Sequence, residues 1–440
     1  MLLRAEIPGA VDLFALHRHS PADYPFLLQS AASHPQAGRY DLLFAFPSSS
    51  LVLRDGDFFA ELSACFRVDA ASDLPPDLPF AGGWFVYLGY ETAQRIEPRL
   101  KLPASPHRLP DAFAVRCPAA AIYDRTRHVT TLLAERDHHQ LARLRHDVEA
   151  AMAKSGKQPA GGVLTEAQVE DPPKAFLSGV ERILEYLRAG DVFQVNLSRA
   201  WRSKLKSGVE YFDIYEALRR TNPAPFAGLA RWNDSVILSS SPERLVQIEG
   251  DRVQTRPIAG THPRGLNAAA DHEQLTRLLG SLKERAEHFM LSDLERNDLG
   301  RVCEPGSVTV SELMTTETYS HVHHIVSNVT GRLRPDAAPG EVLRAVFPGG
   351  TITGCPKVRA MEIIAELEKV GRGPYTGAMG YLCRSGKLDM NILIRSLVCE
   401  DGEVTLRAGA GIVADSNPPV ELAETRAKAR GLLMALEGAP

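Results

Sequence analysis

The 440-residue sequence has no pair of cysteines at metal-ligand or redox spacing. Its six cysteines (Cys65, Cys117, Cys303, Cys355, Cys383 and Cys399) are scattered, the usage of reduced, buried thiols in the cytoplasm. Basic charge is not in excess. Fifty Lys and Arg against 54 Asp and Glu leave a formal net charge of −4, which argues for no nucleic-acid partner. No apolar run reaches the length of about 18 residues that a membrane-crossing helix needs. The opening MLLRAEIPGAVDLFAL is interrupted by Arg4, Glu6 and Pro8 and lacks a signal-peptide profile. Local catalytic fingerprints are missing as well: no Gly-x-Gly-x-x-Gly after a strand, no Walker A sequence, no HExxH and no Gly-x-Ser-x-Gly elbow. What is present is 44% hydrophobic and 24% charged, an ordinary globular composition with ample core material.

The stretch KERAEHFMLSDLERNDLGR, from Lys283 to Arg301, reads as a helix followed by a turn. Glu284 and Glu287, three apart, project from one helical face. Glu421 and Glu424 repeat the spacing in ELAETRAKAR. Four carboxylates on two helices suit one hard divalent cation, which prefers oxygen ligands. The competing account is surface ion pairing with Lys283, Arg285, Arg426 and Lys428.

Residues 1–153 mix short strands with Pro-rich connections and form an N-terminal region expected to pack on the core. Strands are expected at 42–46, 51–54, 82–91, 119–124 and 128–135, then a helix from His138. Residues 154–175, rich in Gly, Pro and charge, read as a surface linker. From 176 to 437 the texture changes. An amphipathic helix ends at Gly190, and DVFQVNLSRAW alternates as a half-buried strand does. Helices are also expected over 211–221, 271–297, 356–368 and 419–436, with strands between them, among them the single strand LDMNILIRSLVCE. Strand runs interleaved with helices and hairpins predict an α+β fold with antiparallel sheets.

Three features point toward a small anionic substrate. In AGAGIV the glycines let backbone approach a ligand and present amides to an anion, or else serve tight strand packing. Arg395, inside the apolar NILIRSLV, needs a partner, either a bound carboxylate or a core aspartate. In YSHVHHIVS, His321 and His323 share one strand face and His324 the other, and one histidine is a candidate for acid–base work. These residues leave the reaction itself open.

Taken together, SSSPERL (239–245), RPIAGTHPRG (256–265), the 283–301 stretch, YSHVHHIVS, FPGGTITGCPKVRAMEIIAELE (347–368), RGPYTGAMGY (372–381), NILIRS (391–396) and AGAGIVADSNPPVELAETRAKA (408–429) resemble the chorismate-utilising enzymes, in order across 176–437. The resemblance implies a catalytic domain over those residues, with antiparallel sheets in a layered sandwich flanked by helices. Isochorismate and salicylate synthases carry a water-activating lysine where this sequence has Gln194, which suggests a nitrogen nucleophile. Two aminating classes remain. NPAPFAG (222–228), FLLQSAASHPQAGRYDLLFAFP (26–47) and GGWFVYLGYETAQRIEP resemble aminodeoxychorismate synthase component I rather than anthranilate synthase component I. The implied activity is amination of chorismate to 4-amino-4-deoxychorismate, with anthranilate formation as the rival. A silent subunit that activates a glutaminase is the non-enzyme alternative. One position departs: Ala259 stands where some aminodeoxychorismate synthases carry a lysine that adds to the ring.

By the resemblance, Glu287 and Glu424 would bind Mg2+ directly, with Glu284 and Glu421 behind bridging waters. Glu243 would protonate the departing C4 hydroxyl, with His324 beside the ring. Tyr375, Arg395 and the amides of Gly409, Ala410 and Gly411 would hold the enolpyruvyl carboxylate. Gly260, Thr261 and Thr351 would line the ring pocket, and Lys357 would add positive charge unless it is a helix-surface lysine. No cysteine stands in a Gly-x-Cys-x-Gly segment, so ammonia would come from a separate glutamine amidotransferase subunit. Ser30, Arg39, Pro225 and Phe226 fall in segments that resemble the family's tryptophan site.

Overall fold

The computed structural model describes residues 2–30, 38–71, 74–153, 162–265, 267–318 and 322–438. Two sheets form its frame, and every strand pairing among these residues is antiparallel. The first sheet runs in the order Leu2–Pro8, Val129–Glu135, Ala119–Asp124, Tyr40–Ala45, Phe26–Gln29, Phe226–Trp232, Ser235–Ser241, Ser396–Glu400, Glu403–Ile412, Gln194–Lys204, Gly354–Cys355. The second runs Ile258–Pro263, Val322–Arg332, Arg252–Arg256, Arg244–Glu249, Leu388–Ile392, Ala378–Cys383, Gly83–Leu88, Ala112–Cys117, Ser50–Val52. N-terminal strands therefore extend both sheets of the C-terminal region.

Between the sheets lies an aromatic core that includes Phe26, Phe44, Phe80, Phe85, Phe113 and Tyr381. Phe26 stacks on Phe85 with ring centroids 4.0 Å apart. Each such ring contributes about 1.5–3 kcal/mol by leaving water. Helices cover the outer faces through separate apolar clusters, so the layers are helix, sheet, sheet, helix. The helix Pro173–Ala189 shows the local logic. Proline occupies its first turn, and Phe176, Val180, Ile183 and Leu184 bury one stripe. Gly190, at φ +79°, closes it with its N–H on Leu187 O.

Four expectations change. The strand Gln194–Lys204 does alternate, but its polar face is not solvated; its first eight residues are all buried. Residues 42–46 and 51–54, expected as strands separated by a short turn, belong to different sheets. The helix expected over 271–297 is two helices, Ala268–Gly280 and Leu282–Gly300, broken at Ser281, whose hydroxyl accepts from the Glu284 N–H. LDMNILIRSLVCE is two strands in two sheets, and Arg395 sits in the bend between them at φ +53°. Of the stretch read as a linker, residues 154–161 lie outside the described residues. Leu164 and Thr165 are buried, Val169–Glu170 pairs with the 201–202 part of the long strand, and Pro173 begins a helix.

Candidate active site

The chain passes between the sheets twice at one place. Ser235–Ser241 in the first sheet leads through Pro242 and Glu243 to Arg244–Glu249 in the second; Leu388–Ile392 in the second leads through residues 393–395 to Ser396–Glu400 in the first. The crossings are tied by Ile392 N donating to Glu243 O (3.1 Å) and Ser240 N to Arg395 O (3.0 Å). Crossing strands cannot keep a continuous ladder, so a space opens there. It is a cavity of about 110 Å³ walled by Asn196, Glu243, His324, Thr351, Tyr375, Arg395, Gly409 and Lys428, among others.

Glu243 is 3% exposed. Burial pushes its carboxyl up to about 8, against hydrogen bonds from the Thr351 hydroxyl (2.8 Å) and the Ile258 amide (3.3 Å). Glu295 adds to the rise by like charge. Burial pushes Glu295 itself up to about 7, and it accepts from Gly350 N (3.3 Å), so two buried carboxyls grip consecutive residues of one tight turn. His324 is driven the other way. Burial, with Arg395 second, lowers it to about 3 while the Gly260 carbonyl opposes the fall. The imidazole is therefore neutral, and the proton of this cavity sits on Glu243.

Burial also lowers Arg395, against Tyr375 and Glu424, and raises Tyr375 to about 12. No ion pair holds the Arg395 guanidinium among the described residues, which removes the core-aspartate alternative. Gly409 and Gly411 pair with Ser198 and Asn196. The amides of Asn196 and Ser198 point away from that ladder, to Thr353 O and Glu368 Oε1. By the alternation of an antiparallel pair, the Gly409 and Gly411 amides also face outward, whereas the Ala410 amide belongs to the ladder with Leu197. Ala410 is thus not an anion-binding amide.

The two acidic pairs sit at matching places, with Glu284 and Glu421 in the first turns of helices capped by Ser281 and Asn417 and Glu287 and Glu424 one turn further on. Helix N-termini favour negative charge. Gly260, at φ +87°, leaves the room that Glu284 uses: a Cβ there would lie 2.4 Å from Glu284 Oε2. Lys428, in the cavity wall, holds Glu424 at 2.6 Å. Arg426 instead binds Glu170. Among the described residues no three His, Cys, Asp or Glu side chains stand close enough to share an ion. Glu284 thus lies beside Gly260, whose carbonyl bonds His324, and Glu424 lies beside Lys428 and within electrostatic reach of Arg395.

Other expectations fall out plainly. Ala259 is 8% exposed and follows Ile258 in the cavity wall. Thr261 pairs through its backbone with His324; its side chain, like His321, lies outside the described residues. His323 is structural, bound to Asp271 (2.9 Å) and Thr318 (2.9 Å). Lys357 neither lines the cavity nor lies free on a surface, because it pairs with buried Asp298. Ser30, Arg39, Pro225 and Phe226 line a separate cavity of about 380 Å³ between the sheets, where Ser30 Oγ donates to Pro225 O (2.7 Å) and Arg39 pairs with Asp124 (2.7 Å).

Glu295, Asn196 and Arg372 lie in stretches quoted above but were not distinguishable there as site residues. Arg372 is 1% exposed and spends its whole fork on Glu368, Asn196 O, Ile352 O and the Thr376 hydroxyl. It thereby fastens three segments of the cavity wall. The usable signal was an arginine just past a buried helix end, four residues after a glutamate.

A sequence profile of chorismate binding enzymes matches residues 24–434. An anthranilate synthase component I-like protein of Synechocystis is 42% identical over 427 residues, covering 93% of this chain and 85% of its own. Aminodeoxychorismate synthase component 1 of Bacillus subtilis is 41% identical over 399 residues, covering 88% and 84%. The crystal structure of anthranilate synthase component I from Streptococcus pneumoniae superposes with a TM-score of 0.81 at 31% identity, covering 91% of this chain and 93% of that one.

Proposed function

The chain belongs to the chorismate-binding enzymes, and from that premise we propose that it aminates chorismate to 4-amino-4-deoxychorismate, using ammonia from a separate glutamine amidotransferase subunit. The observation that carries the reading is a buried Glu243 that keeps its proton to about pH 8, in one cavity with an arginine that lacks an ion-pair partner among the described residues. A dicarboxylate with a poor leaving group needs both. Arg395, the Tyr375 hydroxyl and the outward amides of Gly409 and Gly411 bind its enolpyruvyl carboxylate. Glu243, steadied by Thr351, gives its proton to the C4 hydroxyl as the C–O bond weakens. His324 donates to the Gly260 carbonyl and, being neutral, can only accept at its other nitrogen, so it orients the substrate rather than acting as the acid.

The donor set fits Mg2+, which takes one or two carboxylates and keeps several waters, so no three-carboxylate cluster is required. Glu287 and Glu424 would hold the ion, with Glu284 and Glu421 behind water, the Gly260 recess making space for Glu284. When bound, it would grip the ring carboxylate and withdraw charge from the breaking bond.

The product assignment rests on residues 26–47, 82–98 and 222–228, and relatives of both aminating classes are similar to this chain to the same degree. The larger cavity would take tryptophan. Incubating the pure chain with chorismate, Mg2+ and excess ammonium near pH 8 should give a product that a lyase converts to p-aminobenzoate. Fluorescent anthranilate appearing instead would assign the chain to the other class. Failure to bind chorismate by calorimetry would leave only a glutaminase-activating role.

A further inference from the structure

The helix Leu282–Gly300 carries a polar stripe into the interior. Ser292, Glu295 and Asp298 follow one another at helical spacing and are 3%, 4% and 1% exposed. Asp298 is answered by Lys357. Glu295 has no ion pair among the described residues, and its Oε1 accepts from the Gly350 amide (3.3 Å). Gly350 opens the turn Gly350–Ile352, which lies directly against the helix: a Cβ at Gly350 would stand 2.6 Å from Leu294 Cδ2 and 3.5 Å from Glu295 Oε1.

The next residue of that turn, Thr351, donates from its hydroxyl to Glu243 Oε1 (2.8 Å). The Ile258 amide donates to the same oxygen (3.3 Å). Both bonds fall on Oε1, and none from the described residues falls on Oε2. An oxygen that accepts twice is the carbonyl oxygen of a protonated carboxyl, so the proton is left on Oε2, the oxygen free to meet a substrate. We propose that Glu295 is the positioning residue of the acid: it holds the Gly350–Ile352 turn so that Thr351 pins one oxygen of Glu243, and as a second buried carboxyl it keeps the proton on the other. This rests on Glu243 being the acid of the amination above.

The electrostatics agree in sign. Glu295 raises Glu243, and Lys428 from the helix Pro418–Leu436 lowers it. His324, Tyr375 and Arg395 share the cavity. On Glu295, burial acts first and Asp298 second, both upward; Lys357 from the helix Lys357–Glu368, the Gly350 amide and Thr255 of the strand Arg252–Arg256 act downward. Other charged side chains on the segments packed around this helix are committed elsewhere: Arg256 to Glu312 and Glu317, Arg344 to Asp57, Arg332 to Glu304. Glu295, pushed up to about 7, ionises below Glu243 at about 8, and its charge then resists loss of the Glu243 proton.

The test follows kcat of the full chain with chorismate and Mg2+ from about pH 6 to about 9.5, with free ammonia held constant. Glu295→Gln keeps the acceptor and loses the charge; Glu295→Leu loses both. Leucine should lower kcat about tenfold, the scale of one hydrogen bond, with calorimetric chorismate affinity within about twofold. Glutamine should recover most of that loss. Both variants should move the alkaline limb to lower pH by about one unit, the scale for two charges about 10 Å apart at an effective dielectric of about 20. In Thr351→Val, where the link to Glu243 is already cut, adding Glu295→Leu should lower kcat no more than about twofold further. A limb that stays near 8 in the glutamine variant overturns the coupling. A leucine variant with unchanged kcat, or a loss that adds in full to that of Thr351→Val, overturns the positioning. The infrared carboxyl band of Glu243, followed in the Glu295→Gln background, reads the same shift without turnover. Absence of aminated product from the unmutated chain therefore overturns the amination reading separately from the coupling.

Discussion

Glu243→Gln is expected to lower kcat for amination by about 10²–10⁴-fold, the usual worth of a positioned general acid, while leaving chorismate affinity nearly unchanged by calorimetry. Glutamine fills the same volume and still accepts from the Thr351 hydroxyl and the Ile258 amide. It cannot release a proton to the C4 oxygen. In the unmutated enzyme kcat should fall above about pH 8, where the buried carboxyl ionises. The same titration bears on stability. The folded value lies above the ordinary 4.5, so the native state binds the extra proton. Its contribution is complete below about 4.5 and is lost as pH rises through about 8; the glutamine variant should lack that dependence. A kcat within a fewfold of wild type would show that the acid is another group.

Arg372→Met is expected to cost about 3–5 kcal/mol in folding stability, the range for breaking a buried ion pair by removing one partner. The urea midpoint measures it. Burial opposes the charge on Glu368, yet Arg372 and Arg407 together lower its pKa, so the carboxylate stays charged and depends on both. Losing Arg372 also strips hydrogen bonds from the carbonyls of Asn196 and Ile352. Lysine should not restore stability, because a point ammonium cannot reproduce a planar fork with four directions of contact. A loss below about 1 kcal/mol, the scale of an exposed ion pair, would contradict this role.

The fold was legible where periodicity and punctuation agree. Gly190 and Pro223 bounded helices correctly because each acts through its own backbone, without help from the tertiary structure. The 191–201 stretch showed its alternation but not what its polar face meets, since an interior network around Glu368 and solvent both call for Gln, Asn and Ser. Ser281-Leu-Lys-Glu284 has the spacing of a capping box, and that spacing marks the helix break that an uninterrupted reading missed. Arg395 was singled out by its charge among apolar neighbours, but the sheet crossing was hidden: Leu, Ile and Val suit one long strand as well as two. Glu243 and Arg395 were legible as residues, whereas their meeting depends on two crossings about 150 positions apart. Arg372 and Glu295 left no mark because buried ion pairs and surface ones are written with the same letters.

The claim on which the mechanism turns is that Glu243 carries a proton at neutral pH inside the cavity. Infrared difference spectra of 13C-glutamate-labelled protein, wild type minus Glu243→Gln, measure it directly. A protonated-carboxyl band present at pH 6 and lost with a midpoint near 8 is the expected result. A carboxylate band already present at pH 6 would contradict the account.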